Sequence, residues 1–132
     1  MDYKLCIDKT RKTFIDALEK WSEEYESYNK KLINVINKFN KDVITKSDVK
    51  NFANDLHKTI SKWESFSFKC EDFSKQAKKV FDHLGIFDTE YKEYAEETLD
   101  NLTFLEQRVF KIGEQFKNLN NIINIFINIV DL

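Results

Sequence analysis

The chain has 132 residues, of which 42% are hydrophobic and 33% are charged, with two glycines and no proline. This length suits one domain, and the apolar content is too high for a disordered chain. The shortage of glycine and proline argues against β-sandwiches, β-barrels and nucleotide-binding α/β folds, because these depend on turns or phosphate loops built from such residues. The composition therefore predicts an all-α protein with a single domain over residues 1–132.

The formal net charge of −2 provides no basic field of the kind that drives nucleic-acid binding. Cys6 and Cys70 are too few for a disulfide framework, so we expect two reduced thiols. The first eight residues lack the apolar segment of a secretory signal, and no uncharged apolar run reaches the roughly 18 residues of a membrane span. We therefore expect a soluble, cytoplasmic protein with no nucleic-acid partner and no transmembrane segment.

The first predicted helix covers about residues 9–43. Its large apolar residues, from Phe14 to Val43, recur at alternating intervals of mostly three and four. This is the average spacing of a seam in a left-handed coiled coil. Thr45 and Asp48 are among the candidates for the N-cap of the next helix.

The second predicted helix covers about residues 48–84. Its apolar stripe runs from Val49 to Leu84 at the same spacing and includes Cys70. Apolar residues beside the stripe, such as Phe68, widen the apolar face. A wide face is typical of a helix that contacts two neighbours.

The third predicted helix covers about residues 89–131, and its stripe from Tyr91 to Val130 alternates intervals of four and three without a break. Three long helices joined by two short turns fit most simply into an up-down-up topology. The sequence therefore predicts an elongated antiparallel three-helix bundle with coiled-coil-like heptad packing. Antiparallel folding would also bring Trp21 and Trp63 to similar heights.

A four-helix bundle is the alternative architecture. It requires the first or the third segment to bend back on itself. Gly113 is the one glycine at a plausible break, although the interior of a helix tolerates a single glycine at a cost of about 1 kcal/mol.

Residues that support catalysis or cofactor binding are scarce. The two histidines, His57 and His83, each adjoin a seam position, which directs them sideways to the surface, and the chain has no Glu-x-x-His pair of the di-iron bundle type. It has no Gly-x-Ser-x-Gly motif, phosphate-binding loop or paired-cysteine motif either. We therefore expect a non-enzymatic protein without catalytic, cofactor-binding or metal-binding residues.

Acidic residues are concentrated at the start of the third helix. Residues 85–132 carry nine acidic and four basic side chains, whereas residues 1–84 are slightly basic. Acids in the first turns interact favourably with the positive end of the helix dipole, which favours a solvated helix start. Docking of a basic partner is the open alternative. The residues of this acidic ridge are Glu90, Glu93, Glu96, Glu97 and Asp100.

The C-terminal segment, residues 119–132, has one charged side chain in fourteen residues. It is therefore more apolar than a helix with two packing partners requires. The seam already uses residues 119, 123, 126 and 130, and a second apolar row lies beside it. We predict that this row lies outside the intramolecular core and forms an interface. Its residues are Ile122, Ile125, Ile129 and Leu132.

These features favour a protein–protein interaction module, such as an adaptor, a chaperone or a subunit of a larger assembly. Its partner would be another protein or a second copy of the chain. One alternative is an amphipathic helical protein on a lipid or granule surface, with peripheral lipid contact. The other is an immunity or inhibitor protein that neutralises a basic partner through the acidic ridge.

Overall fold

A computed structural model describes the backbone of residues 3–85 and 89–131, and the side chains of residues 5–83 and 96–131. Within these residues the chain forms three α-helices and no strand. The helices are α1 (Tyr3–Asn40), α2 (Lys46–Gly85) and α3 (Thr89–Val130). Each pair of helices packs together, which confirms the predicted all-α three-helix bundle.

The four-helix alternative is wrong, because α1 is a single unbroken helix and α3 continues unbroken through Gly113. A Cβ atom added at this glycine would lie 3.5 Å from Nε1 of Trp63, which is ordinary van der Waals contact. A glycine inside a helix costs about 1 kcal/mol. Burial of Ile112 and Phe116 on either side of it contributes about 1.5–3 kcal/mol each and keeps the helix continuous.

The three helices contribute to two compact units. The first unit contains residues 1–19 and 66–111, and the second contains residues 20–65 and 112–132. Each unit therefore takes one segment from every helix. The core cluster of the first unit consists of Ile7, Ala77, Phe81 and Leu102, with Phe73, Val80 and Leu99 packed against it.

Helix α1 begins earlier than the sequence pattern predicts, at Tyr3 rather than near residue 9. Ile7 lies in the core of the first unit, seven residues before Phe14, so the heptad spacing extends further towards the N-terminus. Arg11 occupies the position between them and interrupts the apolar stripe. Its Nε atom is buried, so the long side chain follows the seam although it ends in a charged group.

In the second unit, the side chains of all three helices meet in an aromatic cluster. The Trp21 and Trp63 rings are 5.5 Å apart in an edge-to-face arrangement. They therefore lie at similar levels along the helices, as the sequence predicts. Phe116 of α3 contacts both, with ring centroids 6.1 Å from Trp21 and 5.9 Å from Trp63. Tyr25 adds a further edge-to-face contact to Phe116 at 5.9 Å. Such pairs contribute about 0.5–1.5 kcal/mol beyond the area that they bury.

The end of α1 corrects the predicted position of Val43. The amide of Val43 donates to the carbonyl of Lys38, and the amide of Asp42 donates to that of Phe39, the hydrogen-bond pattern of a Schellman motif. Asp42 has a φ of 58°, the left-handed conformation that this motif requires. The chain therefore leaves the helix before Val43, which is 66% exposed instead of lying on the core stripe.

A reciprocal cap begins α2. The hydroxyl of Thr45 accepts from the Asp48 amide at 3.3 Å, and the Asp48 carboxylate accepts from the Thr45 amide at 2.9 Å. The hydrogen bonds from the amide and hydroxyl of Thr45 hold the pKa of Asp48 below its ordinary value. The cap thus satisfies amide groups that the first turn leaves without helical partners, where the sequence places N-cap candidates.

Candidate functional site

The C-terminal half of α3 has a buried row and an exposed row of apolar residues. Leu119, Ile123 and Val130 of the seam are buried in the second unit. The neighbouring residues Ile122, Ile125 and Ile129 are 47%, 61% and 58% exposed. We refer to these three residues as the isoleucine face. The fourth residue of the predicted interface, Leu132, lies outside the described residues.

The position of the isoleucine face follows from the turn of the helix. Successive residues of an α-helix are about 100° apart, so residues at intervals of three and four share one side. The Phe126 ring lies 5.5 Å from the Phe39 ring of α1 and marks the side of α3 that contacts α1. Ile122 and Ile129 lie a further 40–60° or so around the helix, beyond that contact. The isoleucine face is therefore the outer flank of the α1–α3 contact.

Ile33 of α1 extends this apolar surface across the α1–α3 contact. In the second unit these helices run parallel, since Tyr25 contacts Phe116 and Phe39 contacts Phe126. Interpolation between the two pairs places Ile33 at about the level of Ile122. Ile33 is 54% exposed. Around the axis of α1 it lies past Tyr25, on the side of α1 that is nearer to α3. Four exposed isoleucines thus lie on the two sides of the α1–α3 contact and together expose a few hundred Å².

The isoleucine face carries no formal charge. No residue from Asn118 to Val130 is ionisable, and the polar residues in this stretch are asparagines. The next charged group, Asp131, forms an ion pair of 3.1 Å with Lys50 of α2, on another side of the helix. A partner on this surface therefore meets isoleucine side chains and neutral amides.

The acidic ridge is only partly described. Glu96, Glu97 and Asp100 are exposed, as the prediction of a solvated helix start or a docking surface requires. The side chains of Glu90 and Glu93 lie outside the described residues. Within the part of the chain that the structure describes, no three histidine, cysteine or acidic side chains are grouped as metal ligands would be.

The two histidines and Cys70 lie where the seam pattern places them. His57 and His83 are exposed, and Cys6 is exposed near the start of α1. Cys70 is buried, and desolvation raises the pKa of its thiol to about 12. A thiol that stays protonated is a poor nucleophile, so Cys70 acts as a small packing residue.

A polar network in the first unit was missed by the sequence pattern. The buried hydroxyl of Ser74 donates to the carboxylate of Glu106, and Lys78 pairs with the same oxygen at 2.7 Å. Partial burial acts to raise the pKa of Glu106, but hydrogen bonds from Lys78 and Ser74 and the charge of Lys78 outweigh it and lower this pKa. Ser74 lies four residues after Cys70 and seven before Phe81, a spacing that would have placed it on a second seam.

Three exposed phenylalanines of the first unit were also missed. Phe68, predicted to widen the buried face of α2, is 69% exposed because it lies about 140° around the helix from the buried Trp63. Phe110 of α3 is also 69% exposed, and Phe104 lies under the guanidinium of Arg108 at 6.0 Å. Residue type alone suggests burial for such side chains, whereas their angular distance from the seam indicates exposure.

The chain matches no protein-family model, no curated protein and no solved structure. None of the helical segments that the structure describes combines the length and the apolar character that a membrane crossing requires.

Proposed function

We propose that the protein is a non-enzymatic interaction module that docks another polypeptide on the isoleucine face of α3. The observation that carries the proposal is the pair of apolar rows on one helix, the first buried in the bundle and the second exposed. A helix that packs only within its own bundle requires one apolar stripe. The second row supports a docking role for this helix.

The spacing of the isoleucine face favours a helical partner. Ile122, Ile125 and Ile129 follow intervals of three and four, which is the pattern that packs against another helix as a coiled-coil seam. Full burial of an isoleucine side chain contributes about 1.5–3 kcal/mol. Association opposes this with about 4–15 kcal/mol of lost translational and rotational freedom, so a face of this size supports weak, reversible docking.

Binding of a synthetic helix tests the proposal. The probe is a fluorescent peptide of about three heptads, with isoleucine at the a and d positions and alternating glutamate and lysine elsewhere. Fluorescence anisotropy should show binding to the wild-type chain. The double variant Ile125→Lys/Ile129→Lys should bind at least about tenfold more weakly, because each lysine must lose its hydration to enter an apolar contact.

The matched control is Phe68→Lys/Phe110→Lys, which adds the same charge at apolar sites of the first unit that are also more than half exposed. This variant should bind the peptide as the wild type does. Equal binding by both variants, or none by the wild type, would contradict the proposal. Flotation of the wild-type chain with liposomes, lost in Ile125→Lys/Ile129→Lys, would favour the lipid-surface alternative instead.

We further propose a cytoplasmic location. The support is the state of the two cysteines: Cys6 is an exposed free thiol and Cys70 a buried one. Free thiols persist where the cell keeps them reduced, as in the cytosol.

A further inference from the structure

We infer that the occupant of the isoleucine face is the same face of a second copy of this chain, so that two copies form a weak dimer with twofold symmetry. This inference rests on the proposed function and names the partner. It draws on the charge and the spacing of the isoleucine face, which suit self-association, and on its area, which sets the strength of the contact.

The charge pattern suits a second copy. From Asn118 to Val130 the helix has no ionisable residue, so two such surfaces meet without like charges opposing each other. A charged partner would find no ion pair along this stretch. Asn121 and Asn128, both exposed, lie on one flank of the isoleucine face, and each carries both a donor and an acceptor, so amides of one copy can pair with amides of the other.

The spacing suits a twofold axis. A symmetric dimer brings the same patch of both copies together. If residue i of the first copy lies opposite residue j of the second, residue j of the first lies opposite residue i of the second. Ile125 lies midway along the isoleucine face. An antiparallel pair of α3 helices with its axis beside Ile125 therefore places Ile122 of each copy opposite Ile129 of the other. Ile33 then lies at the edge of the contact.

The area of the surface sets the strength of the dimer. The four exposed isoleucines provide a few hundred Å² per copy, whereas stable complexes bury about 800 Å² on each partner. The contact therefore belongs to the weak, transient class of interface. The dimer should form and dissociate with protein concentration, with a dissociation constant in the micromolar range or weaker.

Sedimentation equilibrium of the full chain over a concentration series tests this inference. The average mass of the wild type should rise from that of one chain towards that of two. Ile125→Lys/Ile129→Lys should keep the mass of a single chain at every concentration. The control Phe68→Lys/Phe110→Lys should associate as the wild type does, and loss of association in this control would overturn the inference.

Disulfide trapping provides a second measurement that does not depend on added charge. In a Cys6→Ser background, Ile125→Cys should form a covalent dimer on mild oxidation, since a residue beside the twofold axis lies near its own copy. Val43→Cys, at a site of similar exposure, is the matched control and should remain uncrosslinked. Equal crosslinking at both sites would overturn the symmetric dimer.

The two proposals fail separately. A wild-type chain that remains monomeric at every concentration and is not trapped through Ile125→Cys would overturn the dimer. If the same chain still bound the heptad peptide, docking on the isoleucine face would stand and its partner would be a different helix.

Discussion

Cys6 and Cys70 are both free thiols, but the first is exposed and the second is buried in the bundle. Burial raises the pKa of the Cys70 thiol from its ordinary 9.0 to about 12. With Ellman's reagent at about pH 8, Cys6 should therefore react at once and Cys70 only after unfolding. The Cys6→Ser variant should show no fast reaction. Two thiols that react at the same rate in the native chain would contradict the burial of Cys70.

The raised pKa of the Cys70 thiol also determines how the stability of the folded chain changes with pH. The folded chain holds the Cys70 proton more tightly than the unfolded chain does. The stability that this provides is fully present below about pH 9 and is lost as the pH rises towards about 12.

Single residues explain where the sequence pattern stops being informative. Arg11 and Ser74 both lie on seams, yet neither is apolar, so a search for apolar spacing passes over them. Arg11 hid the first turns of α1, and Ser74 hid the second seam of α2. The buried hydroxyl of Ser74 is tolerated because it donates to the carboxylate of Glu106, and Arg11 occupies a seam position through the aliphatic part of its side chain.

At the scale of the element, α3 offers two phenylalanines in opposite environments. Phe116 is 1% exposed within the aromatic cluster, whereas Phe110, six residues earlier, is 69% exposed. Phe116→Ala should lower the free energy of unfolding by about 3–5 kcal/mol, because it removes a large buried side chain and leaves a cavity. Chemical denaturation measures this change.

Phe110→Ala is the matched control on the same helix. An exposed substitution of this kind should change the free energy of unfolding by about 0.5 kcal/mol or less. Similar losses in the two variants would contradict the assignment of the aromatic cluster as a centre of stability in the second unit.

The helices themselves were predictable because the intervals of three and four persist over long stretches. The C-terminal ends of α2 and α3 agree with the predicted ends to within a residue. The end of α1 was less predictable, because a Schellman motif with Asp42 in a left-handed conformation has no glycine to mark it. Val43 keeps the spacing of the stripe but follows the end of the helix, so spacing alone assigned it to the core.

At the scale of the whole molecule, the surplus of apolar residues near the C-terminus separates into a row that holds the bundle and a row that faces outward. Ile122, Ile125 and Ile129 of the predicted outward row are exposed, whereas Leu132 lies outside the described residues. The exposed row is the basis of the proposed docking. The partner itself was not predictable from the sequence pattern, and the proposal of a second copy is argued from the charge, spacing and area of the exposed row.

The thermal unfolding midpoint of Ile125→Lys/Ile129→Lys, measured by circular dichroism on dilute protein, tests the separation of the two rows most directly. If these isoleucines serve docking, the variant should unfold cooperatively within about 2 °C of the wild type. Ile123→Lys, which places one charge in the buried seam, should lose several kcal/mol of stability. A double variant that melts more than about 10 °C below the wild type, or without a cooperative transition, would show that the isoleucine face belongs to the core.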